Sequence, residues 1–418
     1  MIPIISVDAW EILDSRGHPT LRVLVETASA SGTFSVPAGA STGQFEAHER
    51  RDGTDRYGGL GVAEAIHNVQ SILAPLVVGR DVTAQQQLDA TMVEHDGTEH
   101  LSSIGANAIL GVSGAVAHAA SNALDIPLYS SLATDTPGHM PLPMVNLLSG
   151  GLHARGGLAL QDILVIPRTA DSYRDALEIV WDIRTALESI IIDSGERPLV
   201  ADEGGFAPNV AGIDEAFKLV ERAIKRAGYV PDRTEIALAV DIAATHFYHA
   251  ETERYRIEGE SLTSTEMIET VAEWVSRYPI LSIEDPLVDT DWAGWTALGK
   301  RIDDDIQILG DDLLVTNVDR CRHAHETGAA NAVLVKPNQA GTISRAIDVI
   351  HEAQQSGMNT VVSARSGETC DSTIADLAVG LDAGQIKIGS LARSERLAKY
   401  NRLLEIGRTQ NAALADPF

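Results

Sequence analysis

The apolar runs IALAVD, ILSIED, IQILGDD, AVLVK, TVVSAR and QIKIG share one habit: each carries charge at or near its C-terminal end. The residues are Asp241, Glu284 with Asp285, Asp311 with Asp312, Lys336, Arg365 and Lys387. Carboxylates gathered in one place repel and lose hydration, which costs several kcal/mol unless something neutralises them. Oxygen donors without His or Cys suit a hard cation, and Mg2+ is the natural choice. The plainer role for any single acid after a strand is to cap the next helix. Three acid-ended runs beside two lysine-ended ones make capping the lesser explanation. A lysine is normally a solvated cation with pKa of roughly 10.4. Beside a divalent ion and a second lysine it is pushed toward neutrality and can act as a base, while the metal stabilises a developing enolate. The chemistry is that of proton abstraction next to a carboxylate.

Residues so scattered need a frame that collects strand ends. From about residue 141 onward, strand-like runs, beginning with DILVIP, alternate with amphipathic helices. Residues 172–191 exemplify the helices, with Tyr173, Leu177, Val180, Trp181, Leu187 and Ile191 expected on one face. Repeated strand–helix units predict a parallel sheet, and this many predict a (β/α)8 barrel whose active site lies at the C-terminal ends of its strands. The alternative, an open doubly wound sheet, lacks a GxGxxG after a first strand. Before the barrel, residues 4–36 alternate apolar and polar with turns at SRGHP and ASASG, predicting two or three antiparallel strands. Val62, Ile66, Val69, Ile72, Leu73 and Leu76 follow helical spacing, and ANAILGVSGAVAHAASNAL predicts a helix small enough in its side chains to pack tightly. PGHMPLPM looks like a connector. The division expected is an α+β N-terminal lid domain over 1–134 and a barrel over 141–418, an α/β fold overall.

Composition narrows the partners. The 418 residues carry 59 acidic and 32 basic side chains, a net charge of −27. Such a surface repels nucleic-acid phosphates and anionic lipid, so neither nucleic acid nor membrane is expected as a partner. A small anionic substrate remains compatible, because the field inside a cleft can oppose the net charge. Cys321 and Cys370 have no CxxC spacing, which fits a reducing compartment and no thiolate metal site. The segment MIPIISVDAWEILDSRG has neither the basic start nor the apolar core of a signal peptide, and no run approaches the roughly 18 apolar residues of a membrane span. The expected location is the cytoplasm.

With these residues in place, the chain resembles the enolase (phosphopyruvate hydratase) family. The likeness runs through LDSRGHPT, VPAGASTG, DGTEH, GANAILGVS, LVADEGGFAPN, SIEDP, GDDLLVTN, VLVKPNQAGT, ARSGET, GQIKIG and ARSERLAKYN, nearly the whole length. It implies an enolase-type barrel whose early strands depart from regular order, and a hydro-lyase that removes water from a 2-phosphoglycerate-like substrate to give an enolpyruvate. By motif, Asp241, Glu284 and Asp311 resemble the ligands of a tightly held Mg2+, and Ser41 a ligand of a second Mg2+ that arrives with substrate. Lys336 resembles the base, Lys387 the cation holding the substrate carboxylate, and Glu203 the acid that helps the C3 hydroxyl leave. His153 resembles a histidine on a mobile loop, and Arg365 and Ser366 resemble a phosphate clamp. Their guanidinium fork and hydroxyl suit that role. The GASTG, GGLHARGG and 246–262 segments are expected to close over substrate, and the resemblance implies a homodimer or higher homo-oligomer.

Three positions depart from the family pattern. Ala364 stands where a histidine precedes the clamp arginine, Gln161–Asp162 stands for Gln-Glu at the end of the strand after the GGLH loop, and Ala38 replaces a frequent serine. Aspartate withdraws a carboxylate by about 1.5 Å relative to glutamate, and a misplacement of about 1 Å can cost around 100-fold. Three readings follow. The chain is an ordinary enolase; or it is a specialised dehydratase in phosphonate biosynthesis, resembling carboxyphosphonoenolpyruvate synthase, in which Ala364 makes room for a larger phosphonoformyl-glycerate; or it is an enolase-shaped binding protein with little activity.

Overall fold

The computed structural model describes residues 1–39, 43–133, 138–154, 157–410 and 412–418. At the N-terminus, β1 (Ile4–Leu13), β2 (Pro19–Thr27) and β3 (Ser31–Ser35) form an antiparallel sheet in that order. The β1–β2 turn closes because the Asp14 carboxylate accepts from the backbone N–H of Arg16 at 2.8 Å and of His18 at 2.9 Å. Gly17 there sits at φ +75°, a conformation that favours glycine. The helix Ala106–Leu124 lies against this sheet, and its small residues set how near it comes. A Cβ on Gly114 would fall 2.3 Å from Cγ of Phe34, and one on Gly111 would fall 2.6 Å from Cγ2 of Val23. The helical pattern over 62–76 becomes two short helices, Ala63–Asn68 and Ala74–Val77, joined by a wider-wound turn.

Eight strands close the barrel: β4 (Leu142–Ser149), β5 (Asp162–Pro167), β6 (Ile236–Asp241), β10 (Ile280–Glu284), β11 (Gln307–Gly310), β12 (Ala332–Val335), β13 (Asn359–Ser363) and β14 (Gln385–Gly389). Between β6 and β10, β7 (Tyr248–His249), β8 (Arg254–Ile257) and β9 (Glu260–Leu262) make a small antiparallel sheet in the segment expected to act as a lid. Strand β5 is antiparallel to both neighbours, whereas the other barrel pairs are parallel. Gln161–Asp162 therefore opens its strand instead of ending it. Because β5 runs backwards, that opening still lies at the face where the parallel strands end.

Leu142, Met144, Leu164, Ile166, Leu281, Leu309, Leu334 and Val361 form one of the buried apolar clusters of the barrel strands. The surrounding helices are amphipathic. Ile213–Arg226 buries Ile213, Phe217, Val220 and Ile224, with Asp214 and Glu215 in its first turn and Lys225 and Arg226 in its last. That charge order complements the helix dipole. In Tyr173–Asp193 the expected face is corrected at one residue: Trp181 is exposed, since it lies about 100° around the helix from buried Val180.

The sheet domain is keyed to the barrel by buried polar contacts. Asp89 accepts from Ser113 Oγ at 2.9 Å and from the backbone N–H of Ser344 at 3.1 Å. Ala38 and Gly367 exchange backbone hydrogen bonds at 2.8 and 2.9 Å. A Cβ on Gly367 would meet Arg16 Nη2 at 2.3 Å.

Candidate active site

Strand register assembles the charged residues into a ring. Asp162 pairs with Asp241 across β5–β6, Asp241 with Glu284 across β6–β10, and Glu284 with Leu309 across β10–β11, two residues before Asp311. On the other side, Lys387 of β14 pairs with Ser363 of β13, two residues before Arg365. His153, Gln161, Glu203, Asp241, Asp311, Lys336, Ala364, Arg365, Ser366 and Lys387 line one cavity of about 30 Å3. Glu284 and Asp162 are also buried, at 3% and 0% exposure. Ser41 lies outside the described residues.

Two lysines organise the acids. Lys387 Nζ donates to Asp241 at 2.8 Å and to Glu284 at 2.6 Å, and Gln161 Nε2 donates to Asp241 at 3.2 Å. Lys336 Nζ is ion-paired with one oxygen of Asp311, whose other oxygen accepts from Gln339 Nε2 at 2.8 Å. Burial works against both ammonium groups, but the carboxylates prevail and raise both pKa values, Lys387 well above its ordinary range. Paired with Asp311, Lys336 is favoured in its protonated form in this arrangement. Glu284 is driven toward protonation by burial and then by Asp241, whereas Lys336 and Arg365 overcome burial to keep Asp311 ionised. Among the clusters that converge within 4.8 Å is Asp285–Asp311–Asp312, while Asp241 and Glu284 meet on Lys387. Asp285 fills the structural role open to any such acid, accepting from the backbone N–H of Asp311 at 3.0 Å and of Asp312 at 2.8 Å.

A second cluster joins His153, Asp162 and Glu203. His153 Nδ1 is 2.9 Å from Asp162 Oδ2, and its Nε2 is 3.8 Å from Glu203. Burial disfavours the imidazolium, but Asp162 and then Glu203 outweigh it and raise the His153 pKa to about 9. Two residues that sequence reasoning missed hold the acids: Ser149 donates to Asp162 at 2.6 Å, and Asn146 to Glu203 at 3.2 Å.

Across the cavity, the loop after β13 presents Arg365 and Ser366. Arg365 Nη1 donates to Glu46 at 3.0 Å and to Asn338 at 3.1 Å. Burial opposes its charge, and Glu46 and Asp311 more than restore it, raising its pKa. The loop is braced from behind. Arg396 donates to the carbonyls of Arg365 at 2.6 Å and Ser366 at 2.8 Å, and Glu368 accepts from the Arg365 N–H at 3.0 Å and from Lys399 at 2.7 Å. Glu46, Gln339, Glu368, Arg396 and Lys399 were not among the sequence-predicted site residues. The strand-end pattern does not reach them. The motifs VLVKPNQAGT, ARSGET and ARSERLAKYN contain Gln339, Glu368, and Arg396 with Lys399, but gave these residues no assigned role; Glu46 lies in none of them.

The site thus offers buried carboxylate oxygens that could hold a divalent cation, two lysines, an arginine–serine pair suited to an anion, and a histidine between two acids. Comparison with known proteins gives the family. The model for "Enolase, N-terminal domain" matches residues 4–132, and that for "Enolase, C-terminal TIM barrel domain" matches residues 138–414. The enolase of Thermococcus kodakarensis is 48% identical over 405 residues, covering 96% of this chain and 94% of that protein. The enolase of Acidothermus cellulolyticus is 47% identical over 407 residues, covering 97% and 94%. With both domains matched and nearly the whole length covered, the chain belongs to the enolase family of carbon–oxygen hydro-lyases.

Proposed function

We propose that this chain dehydrates 2-phosphoglycerate to phosphoenolpyruvate in a Mg2+-dependent reaction. The observation that carries the reading is the pairing of lysines and carboxylates opposite Arg365 and Ser366 around one barrel mouth. Asp241, Glu284 and Asp311 fit Mg2+ by donor chemistry, being oxygen-only and buried. Ser41 is proposed as a ligand for a second ion. Bound there, Mg2+ supplies positive charge to the substrate carboxylate as it becomes doubly charged. A Lys base working with one or two Mg2+ ions is the known pattern of the enolase superfamily, not a deduction from these distances.

The residues of the chain divide the remaining work. Lys336 takes the C2 proton, a step that requires it first to leave its ion pair with Asp311 and give up its own proton. Lys387 holds the substrate carboxylate. Glu203, oriented by Asn146 and kept ionised by the His153 ring, takes up a proton before it assists the departing C3 hydroxyl, with the His153–Asp162 pair beside it, and Gln161 steadies Asp241. Arg365 and Ser366 clamp the phosphoryl group. The cavity has room for no more than a few waters, so the site must open to admit substrate and close to exclude water.

A second reading, a larger phosphonate substrate, is favoured by Ala364: small, 6% exposed and lining the cavity beside Arg365. One assay separates the two. Purified protein with Mg2+ and 2-phosphoglycerate should show the rising ultraviolet absorbance of the enol product. Negligible turnover, restored by Ala364→His with Asp162→Glu, would assign the larger substrate; negligible turnover with no Mg2+ binding would leave a binding protein. We also place the chain in the cytoplasm and in a homo-oligomer. The oligomer is supported by an apolar groove of about 990 Å3 between the helices Tyr173–Asp193 and Ser394–Gln410, where Trp181 is 60% exposed. Light scattering at micromolar concentration tests it. No helix among the described residues is long and apolar enough to cross a membrane.

A further inference from the structure

Glu46 sits where two segments of the site cross. It follows three residues after Gly43, the first described residue beyond 40–42 of the GASTG loop, and is only 3% exposed. Its two oxygens are divided between those segments. Oε1 accepts from the backbone N–H of Gly43 at 2.9 Å and from Gln339 Nε2 at 3.2 Å, and Oε2 accepts from Arg365 Nη1 at 3.0 Å. Gln339 has a fixed orientation: its carbonyl accepts from Thr316 at 2.7 Å, and its amide nitrogen also donates to Asp311 at 2.8 Å.

The neighbours of Glu46 are pinned to the barrel as well. Phe45 lies under the Arg320 guanidinium at 4.1 Å, and the Ala47 N–H donates to Gln339 at 3.0 Å. A buried carboxylate facing a buried guanidinium is a poor source of net stability, because desolvation consumes much of the attraction. Its placement is better explained by geometry.

We propose that Glu46 is a positioning residue that couples the Gly43 backbone to the anion clamp. One carboxylate fixes both the Gly43 N–H and the way the Arg365 guanidinium stands at the cavity. The proposal rests on the reading of Arg365 as the clamp of a dehydratase. A carboxamide cannot replace the carboxylate, because its NH2 must face a donor on one side or the other: Arg365 on one, Gly43 and Gln339 on the other.

The test is Glu46→Gln, followed by hydrogen–deuterium exchange without substrate and by steady-state kinetics. Exchange should accelerate in peptides covering 43–48 and 364–369 together, with KM for 2-phosphoglycerate rising about tenfold and kcat changing far less. Acceleration confined to 43–48, or a loss of thermal stability with KM unchanged, would overturn the coupling. If Glu46→Gln does not fold, Glu46→Asp serves: it keeps the charge but is too short by about 1.5 Å to reach both partners, and the same joint acceleration is expected. A wild-type protein inactive on 2-phosphoglycerate would remove the substrate reading, while the exchange data would still decide the coupling.

Discussion

His153 and Asp162 form a buried ion pair, Nδ1 to Oδ2 at 2.9 Å, with the histidine 8% and the aspartate 0% exposed at the side chain. Burial pushes the Asp162 carboxyl up and the imidazolium down. The ring keeps its charge because Asp162, and then Glu203, place negative charge beside it, although Glu203 pushes the Asp162 carboxyl further up. A folded pKa of about 9 against an ordinary 6.5 corresponds to stabilisation on the order of 3 kcal/mol. The sign follows from the folded value being the higher one. This stability is fully present below about pH 6.5 and is lost as pH rises through about 9. Thermal melts from pH 6 to 10 should therefore show a fall that Asp162→Asn largely abolishes, while NMR titration of His153 returns toward its ordinary range in that variant.

The acids on Lys387 and Lys336 imply a measurable response to a hard cation. A ligand that binds only the folded protein stabilises it by about 2.7 kcal/mol at a hundredfold excess over Kd. Mg2+ should raise the melting temperature, and a chelator should reverse the rise. Glu284→Gln removes one of the two anions on Lys387 and should diminish the Mg2+ shift. A melting temperature indifferent to Mg2+ in the wild type would sink the metal assignment.

Lys336 and Glu203 act at different bonds in the proposed reaction, so isotopes can separate them. Lys336→Ala should stop both exchange of the C2 hydrogen with D2O and dehydration, by 100- to 10,000-fold on the usual scale for a general base, about 10² to 10⁴. Glu203→Gln should spare C2 exchange while dehydration falls. Retained exchange in Lys336→Ala would assign the base to another group.

Position along a run was enough to find Asp241, Glu284 and Arg365, because a barrel collects the ends of its parallel strands at one face. The family pattern put Gln161–Asp162 at the end of its strand, whereas Asp162 opens it. Its place depends on β5 running backwards, and the run DILVIP reads the same in either direction. Glu46 was illegible for another reason. It is an ordinary polar residue in a loop, and its contacts with Gln339 and Arg365 lie 293 and 319 residues away in sequence. The ion pair of Lys336 with Asp311 was not legible either, since it depends on side-chain directions that spacing does not encode.

The small-residue helix Ala106–Leu124 was legible as a tight packer, and the structure turns that into a stability prediction. Gly114→Ala places a Cβ 2.3 to 2.8 Å from three atoms of the Phe34 ring. The ring is held at 4% exposure and has no free end to swing aside. Alanine gains up to about 1 kcal/mol in helix propensity over glycine, but overpacking a close core costs about 1–3 kcal/mol. The clash should win, lowering the melting temperature by several degrees and leaving kcat at low temperature unchanged. Adding Phe34→Leu, which removes the ring, should recover part of the loss. A Gly114→Ala protein as stable as wild type would mean that helix and sheet do not approach as closely as their glycines indicate.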